Sequence, residues 1–135
     1  RDTIYRLARS TKDFRACHAL LAEQGIERSP LSYPTVMALR GDVLMGCLSR
    51  IPSETAVIAG PLAVSSARPL ITVMRLIEAW DGVLWRAGVR SYHFGIQLPE
   101  HKAWLAIIEK MGLQPYSQDE QVVWFRREMK ARNHE

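Results

Sequence analysis

Two histidines are the residues of this 135-residue chain whose type and placement suit proton transfer. An imidazole gains or loses its proton near neutral pH without help, which is what a general base needs. His93 lies in Ser91-Tyr92-His93-Phe94-Gly95, a strand-like segment, and His101 follows Glu100 where a helix begins. Each also has a plain reading: His93 as a hydrogen-bonded core residue, His101 as an exposed helix start. Arg68 stands just before Pro69-Leu70-Ile71-Thr72. A guanidinium beside the unpaired amides of a helix start, here those of Ile71 and Thr72, could hold a phosphate. An exposed arginine is as readily only solvated. Tyr33 and Tyr116 fall in loop-like segments and could line a substrate groove or simply pack. Other chemistries lack their residues. There is no Gly-x-Ser-x-Gly elbow and no phosphate-binding Gly-rich loop ending in Lys-Ser/Thr. Cys17 and Cys47 are the only cysteines and have no metal-ligand neighbours, so no metal is expected and both thiols should be reduced. No acidic residue occurs in 56–64, which excludes a carboxylate base on that strand.

The elements that must position these residues centre on 56–96. Ala56 to Val64 is a short apolar run suited to a strand buried on both faces. Leu70, Val73, Met74, Ile77, Trp80, Leu84 and Ala87 recur at helical spacing, with Thr72, Arg75, Glu78 and Arg86 on the other side. Pro69 suits the first helical position and Gly88 the stop. A second strand follows from Ser91 to Ile96. Strand, helix, strand is a βαβ unit, so the two strands should be parallel neighbours.

Before this unit, Thr3 to Ala8 alternates like a half-buried strand, and Ser10 or Thr11 can cap a helix with Asp13 at its positive end. That helix should close at Gly25, and 26–34 reads as a loop. Thr35–Arg40 and Val43–Ile51 form a hairpin about Gly41-Asp42. After the unit, Trp104, Leu105, Ile108 and Met111 are spaced for one buried helix face ending at Gly112. Gln114–Tyr116 is extended, Ser117–Glu120 a polar turn, Gln121–Arg126 a last antiparallel strand, and the charged tail from Arg127 should fray.

Composition sets outer bounds. With 47% hydrophobic and 24% charged residues the chain reads as one ordinary globular α/β domain spanning 1–135. No apolar run approaches the ~20 residues of a membrane span and no secretory signal is visible, so no membrane partner and a cytoplasmic location are expected. The net charge of +4 would favour polyanions, but the basic residues are scattered and only the tail concentrates them. A nucleic-acid partner is therefore not expected.

The order of elements resembles the GNAT superfamily of acyl-CoA-dependent N-acetyltransferases. Trp104-Leu105-Ala106-Ile107-Ile108-Glu109-Lys110-Met111-Gly112-Leu113 is similar to the helix that ends Tyr-Glu-Lys-x-Gly-Phe in that family. Pro61-Leu62-Ala63-Val64 matches the strand that splays from its parallel neighbour. The resemblance implies a mixed, mostly antiparallel sheet of six or seven strands with a central parallel pair flanked by helices. It also implies that Leu62, Ala63 and Val64 pair with the pantetheine arm of acetyl-CoA or another acyl-CoA, with Arg68, Ile71 and Thr72 near its pyrophosphate. Two departures stand out. The family's Gly-rich pyrophosphate loop is replaced by Ser65-Ser66-Ala67-Arg68-Pro69, so cofactor binding should be weak. Ile108 stands where many members have a Tyr that protonates the leaving thiolate, and His101 where they have Asn.

The implied function is acyl transfer to an amine, on a small molecule or a protein, with His93 as base. The alternative is a catalytically inactive GNAT-like domain acting as a binding or structural component, for example of a viral particle. A homo-oligomer or larger assembly is compatible with either.

Overall fold

A computed structural model describes residues 2–26, 30–65, 68–98 and 101–131. The order is β1 (Ile4–Leu7), α1 (Thr11–Glu23), β2 (Ser32–Arg40), β3 (Val43–Ile51), β4 (Ile58–Val64), α2 (Pro69–Arg86), β5 (Ser91–Gln97), α3 (Ala103–Lys110), β6 (Pro115–Gln118) and β7 (Val122–Glu128). The strands make one seven-stranded sheet in the order β1-β2-β3-β4-β5-β7-β6. Every neighbouring pair is antiparallel except β4–β5, as the βαβ reading requires.

Helices cover the sheet unequally. On one face α1 buries Cys17, Leu20 and Leu21 against Met37, Cys47 and Ala63. The other face carries α2, whose Leu76, Trp80 and Leu84 meet Val36, Ala38, Leu48 and Tyr92. On that same side Ile108 of α3 packs with Val123 and Phe125. Phe94 joins the two clusters and stacks on Phe125 at 5.3 Å. Ser10 is the α1 cap: its hydroxyl accepts from the Asp13 amide at 3.1 Å, and the Asp13 carboxylate reaches back to the Arg9 and Ser10 amides.

Five expectations need correction, two of them briefly: 32–34, read as loop, is the start of β2, and Met111, placed on the buried face of α3, is exposed. The buried stripe of α2 runs through Thr72, Val73, Leu76, Trp80, Asp81 and Leu84, while Leu70, Met74 and Ala87 are exposed. The helix is rotated because two polar residues are satisfied inside: Thr72 bonds the Arg68 carbonyl, and Asp81 is held by Tyr92 and Arg127. The chain does not fray at Arg127, since β7 continues to Glu128 and Met129 is buried. Segment 115–118 is a strand, β6, where an extended dipeptide and a turn were expected.

Candidate active site

β4 and β5 part company immediately after they meet. Ile58 and His93 are their one register pair, with the His93 amide donating to the Val57 carbonyl at 2.9 Å. Beyond it, β4 runs on to Val64 and β5 to Gln97 without pairing among the described residues. A wedge therefore opens toward the strands' C-terminal ends.

A bulge shapes its β4 wall. Leu48 pairs with Leu62 but Arg50 with Ala59, so β4 carries one extra residue at Gly60-Pro61. Gly60 has φ +134°, which a side chain would resist. The Ser65 amide donates to Met45 on β3 at 2.9 Å. Alternation then turns the peptide groups of Ala63 toward β3 and those of Leu62 and Val64 into the wedge. Of the three β4 residues singled out, Leu62 and Val64 turn their backbone toward the wedge, and Ala63 lines the α1 core instead. One wedge-facing group is already engaged: the Gln24 side-chain amide, at the end of α1, donates to the Val64 carbonyl.

At the mouth, α2 begins. The Thr72 amide donates to the Arg68 carbonyl at 3.2 Å, and so does its hydroxyl. Thr72 is spent within the helix and offers nothing to a phosphate, contrary to the expectation drawn from its position. Pro69 has no N–H, which leaves the amides of Leu70 and Ile71 beside Arg68. Ser66 and Ala67 lie outside the described residues.

At the closed end sits His93. Its register partners Ile58 and Arg126 share its face of the sheet, and the Tyr116 ring meets the imidazole edge-on at 5.4 Å. The Nδ1 atom is buried and has no hydrogen-bond partner among the described residues. The next residue on this face is Gly95. A Cβ there would come within 2.8 Å of Val122 and 3.2 Å of the Trp124 ring, so the strand must be bare for Trp124 to lie over it. Ile108 is in the α3 core against Phe125, on the opposite face from His93.

The other candidates are dispersed. The His101 amide donates to the Gln97 carbonyl at 3.0 Å, so His101 stands at the open mouth. Four strand residues, or ~13 Å, separate its anchor from His93. Tyr33, on β2, lies five strand spacings from β6, about 24 Å from Tyr116 at the usual separation. The structure thus joins His93 with Tyr116 and sets His101 and Tyr33 apart from them. Gln24, Trp124 and Arg126 were not anticipated; Gly95 inside a strand was the one available signal, marking a close approach.

No family model and no curated protein sequence matches the chain. Solved structures do. An aminoglycoside 6'-acetyltransferase type Ii superposes with TM-score 0.74 at 18% identity, covering 93% of this chain and 96% of its own. The fold is that of the GNAT superfamily. The ribosomal-protein-S18-alanine N-acetyltransferase from Escherichia coli matches with TM-score 0.69 at 12% identity, over 98% of each chain. An aminoglycoside 6'-N-acetyltransferase complexed with coenzyme A matches with TM-score 0.71 at 16% identity, covering 93% of this chain and 96% of that one. Within this GNAT fold the splayed pair is β4–β5, and the wedge described above is its central opening. No helix among the described residues is long and apolar enough to cross a membrane.

Proposed function

We propose that this chain is an acyl-CoA-dependent N-acyltransferase, moving an acetyl group to an amine. The observation that carries the reading is the buried, unpartnered Nδ1 of His93 at the closed end of the β4–β5 wedge. A buried ring nitrogen without a partner is disfavoured unless something else supplies one. Movement of the exposed Tyr116 ring that covers the imidazole would open Nδ1 to an amine, or to the water through which it is deprotonated.

The residues present fit acyl-CoA in part. The Leu62 peptide groups and the Val64 amide offer an open strand edge, and the Leu70 and Ile71 amides with Arg68 offer an anion site at the mouth. The exposed side chains of Leu70, Ile71 and Met74 form an apolar rim next to it. Bound there, acyl-CoA would supply an activated acyl group as a thioester. His93 would take the proton of the incoming amine, and Tyr116 would hold the imidazole and flank the acceptor. Wedge-facing amides of β4 would polarise the acyl carbonyl. With no proton donor at Ile108, the thiolate departs unassisted. A calorimetric titration with acetyl-CoA, followed by assay against a panel of amines, tests the reading; heat and turnover are expected, and binding without turnover on any amine would remove the catalytic assignment.

One observation favours a second reading. The missing glycines and the internally spent Thr72 leave the pyrophosphate with fewer donors than such a loop usually offers. A chain that binds no acyl-CoA at all would be a GNAT-fold binding or structural component.

A further inference from the structure

Away from the wedge, β1 and α2 enclose a cleft of about 500 Å³ lined by Tyr5, Arg6, Arg9, Glu78, Gly82 and Arg86. β1 is the sheet edge, four strand spacings or about 19 Å from β5. Arg86 ends α2, so the cleft lies about 26 Å along that helix from the anion site at Pro69. Its charges are unevenly committed. Arg6 is held by the Asp13 carboxylate through bonds of 2.9 and 3.0 Å, and Glu78 is paired with Arg75 at 3.1 Å. Arg9 and Arg86 have no side-chain hydrogen bond or ion pair among the described residues.

Surface arginines are often only solvated, and the cation count alone would say no more. Gly82 says more. It is buried in the interior of α2, where glycine is disfavoured relative to alanine. A Cβ there would stand 3.3 Å from Nη1, 3.8 Å from Nη2 and 3.9 Å from Cζ of Arg86. The missing side chain leaves the space into which the Arg86 guanidinium, four residues further along the helix, folds back. Helix propensity has been given up at the position that holds an unpaired cation in the cleft.

We propose that this cleft is an anion site that binds the phosphate group of a small molecule, with Arg86 and Arg9 as its ligands and Arg6, fixed by Asp13, beside them. Two uncommitted guanidinium groups match the charge of a phosphate monoester, about −1.5 to −2 near neutral pH, better than that of one carboxylate. The cleft volume is that of an ordinary small-ligand site.

The test is calorimetry of the whole chain with inorganic phosphate at low ionic strength, with each variant's melting temperature recorded. The parent should bind phosphate, and Arg86→Gln should bind about tenfold more weakly, the loss of one charge-assisted contact. Gly82→Ala removes no polar group and should keep or raise the melting temperature, while its Cβ nudges the Arg86 guanidinium and should weaken binding only modestly. With coenzyme A saturating the mouth of the wedge, phosphate should still bind the parent, and Arg86→Gln should still weaken it. No phosphate binding by the parent, full binding by Arg86→Gln, or loss of phosphate binding on saturation with coenzyme A would each overturn the proposal.

Discussion

The Arg127 guanidinium grips the carboxylate of Asp81 through two bonds of 2.9 and 2.7 Å, joining β7 to α2 across 46 residues of chain. Asp81 is fully buried, and the Tyr92 hydroxyl donates to its other oxygen at 2.7 Å. The cluster ties three elements together behind the wedge. Burial and the neighbouring carboxylate push the Tyr92 hydroxyl well above its ordinary pKa, so it stays a donor at any working pH. Arg127→Ala strands a carboxylate in the core with only Tyr92 for company. Truncating one partner of such a pair typically costs about 3–5 kcal/mol. Denaturant unfolding should show a loss of that order, and a loss under ~1 kcal/mol would mean the pair is structurally idle.

Asp13 predicts an acid limb to stability. The Arg6 guanidinium, first, and the Arg9 and Ser10 amides hold its carboxyl far below the usual carboxylate range. Its pKa is depressed on folding, so its contribution is complete above the unfolded value near 4 and fades as pH falls below it. Stability of the parent should therefore drop below about pH 4, and Asp13→Asn should flatten that limb. At neutral pH the same substitution should cost about 1 kcal/mol through the lost capping box. An unchanged acid limb in the variant would assign the effect to other carboxylates.

Much of this architecture was readable because its signals are local. The α1 cap is set by residues three apart, the β2–β3 hairpin by Gly41-Asp42, and the βαβ unit by runs whose period changes from strand to helix. What escaped depends on partners far along the chain. Thr72 and Asp81 look like the polar side of α2 until the Arg68 carbonyl and Arg127 are seen to satisfy them. The Gln24 contact with Val64 spans 40 residues and leaves no local trace. At the site, residue type pointed to His93 and His101 alike. Only the divergence of β4 and β5 separates them, putting one at the closed end and the other at the mouth.

Arg68→Glu tests the mouth of the wedge. With Thr72 committed, Arg68 and the amides of Leu70 and Ile71 are the groups among the described residues that stand at this helix start to meet a pyrophosphate. Reversing the charge replaces attraction by repulsion at a helix start that otherwise favours anions. Affinity for acetyl-CoA should fall about tenfold or more while thermal stability barely moves. Equal affinity in parent and variant would place the phosphates elsewhere.

His93→Ala is the sharpest test of the proposed chemistry. Ile108 is buried in the α3 core and cannot donate a proton, so the thiolate must leave without an acid. A thiol leaves near neutral pH far more easily than an alcohol because its pKa is near 8.5. The missing acid slows the reaction without forbidding it, since such catalysis is typically worth ~10²–10⁴ in rate. Deprotonating the amine is a separate need, and His93 is the imidazole at the closed end of the wedge. Removing its ring also removes the contact with Tyr116, but no hydrogen bond of Nδ1 among the described residues. Turnover should therefore fall at least roughly tenfold, with acetyl-CoA affinity nearly unchanged, the pattern of a group that acts in the transition state alone. If stability falls in step with activity, His93 is a packing residue and the base lies elsewhere.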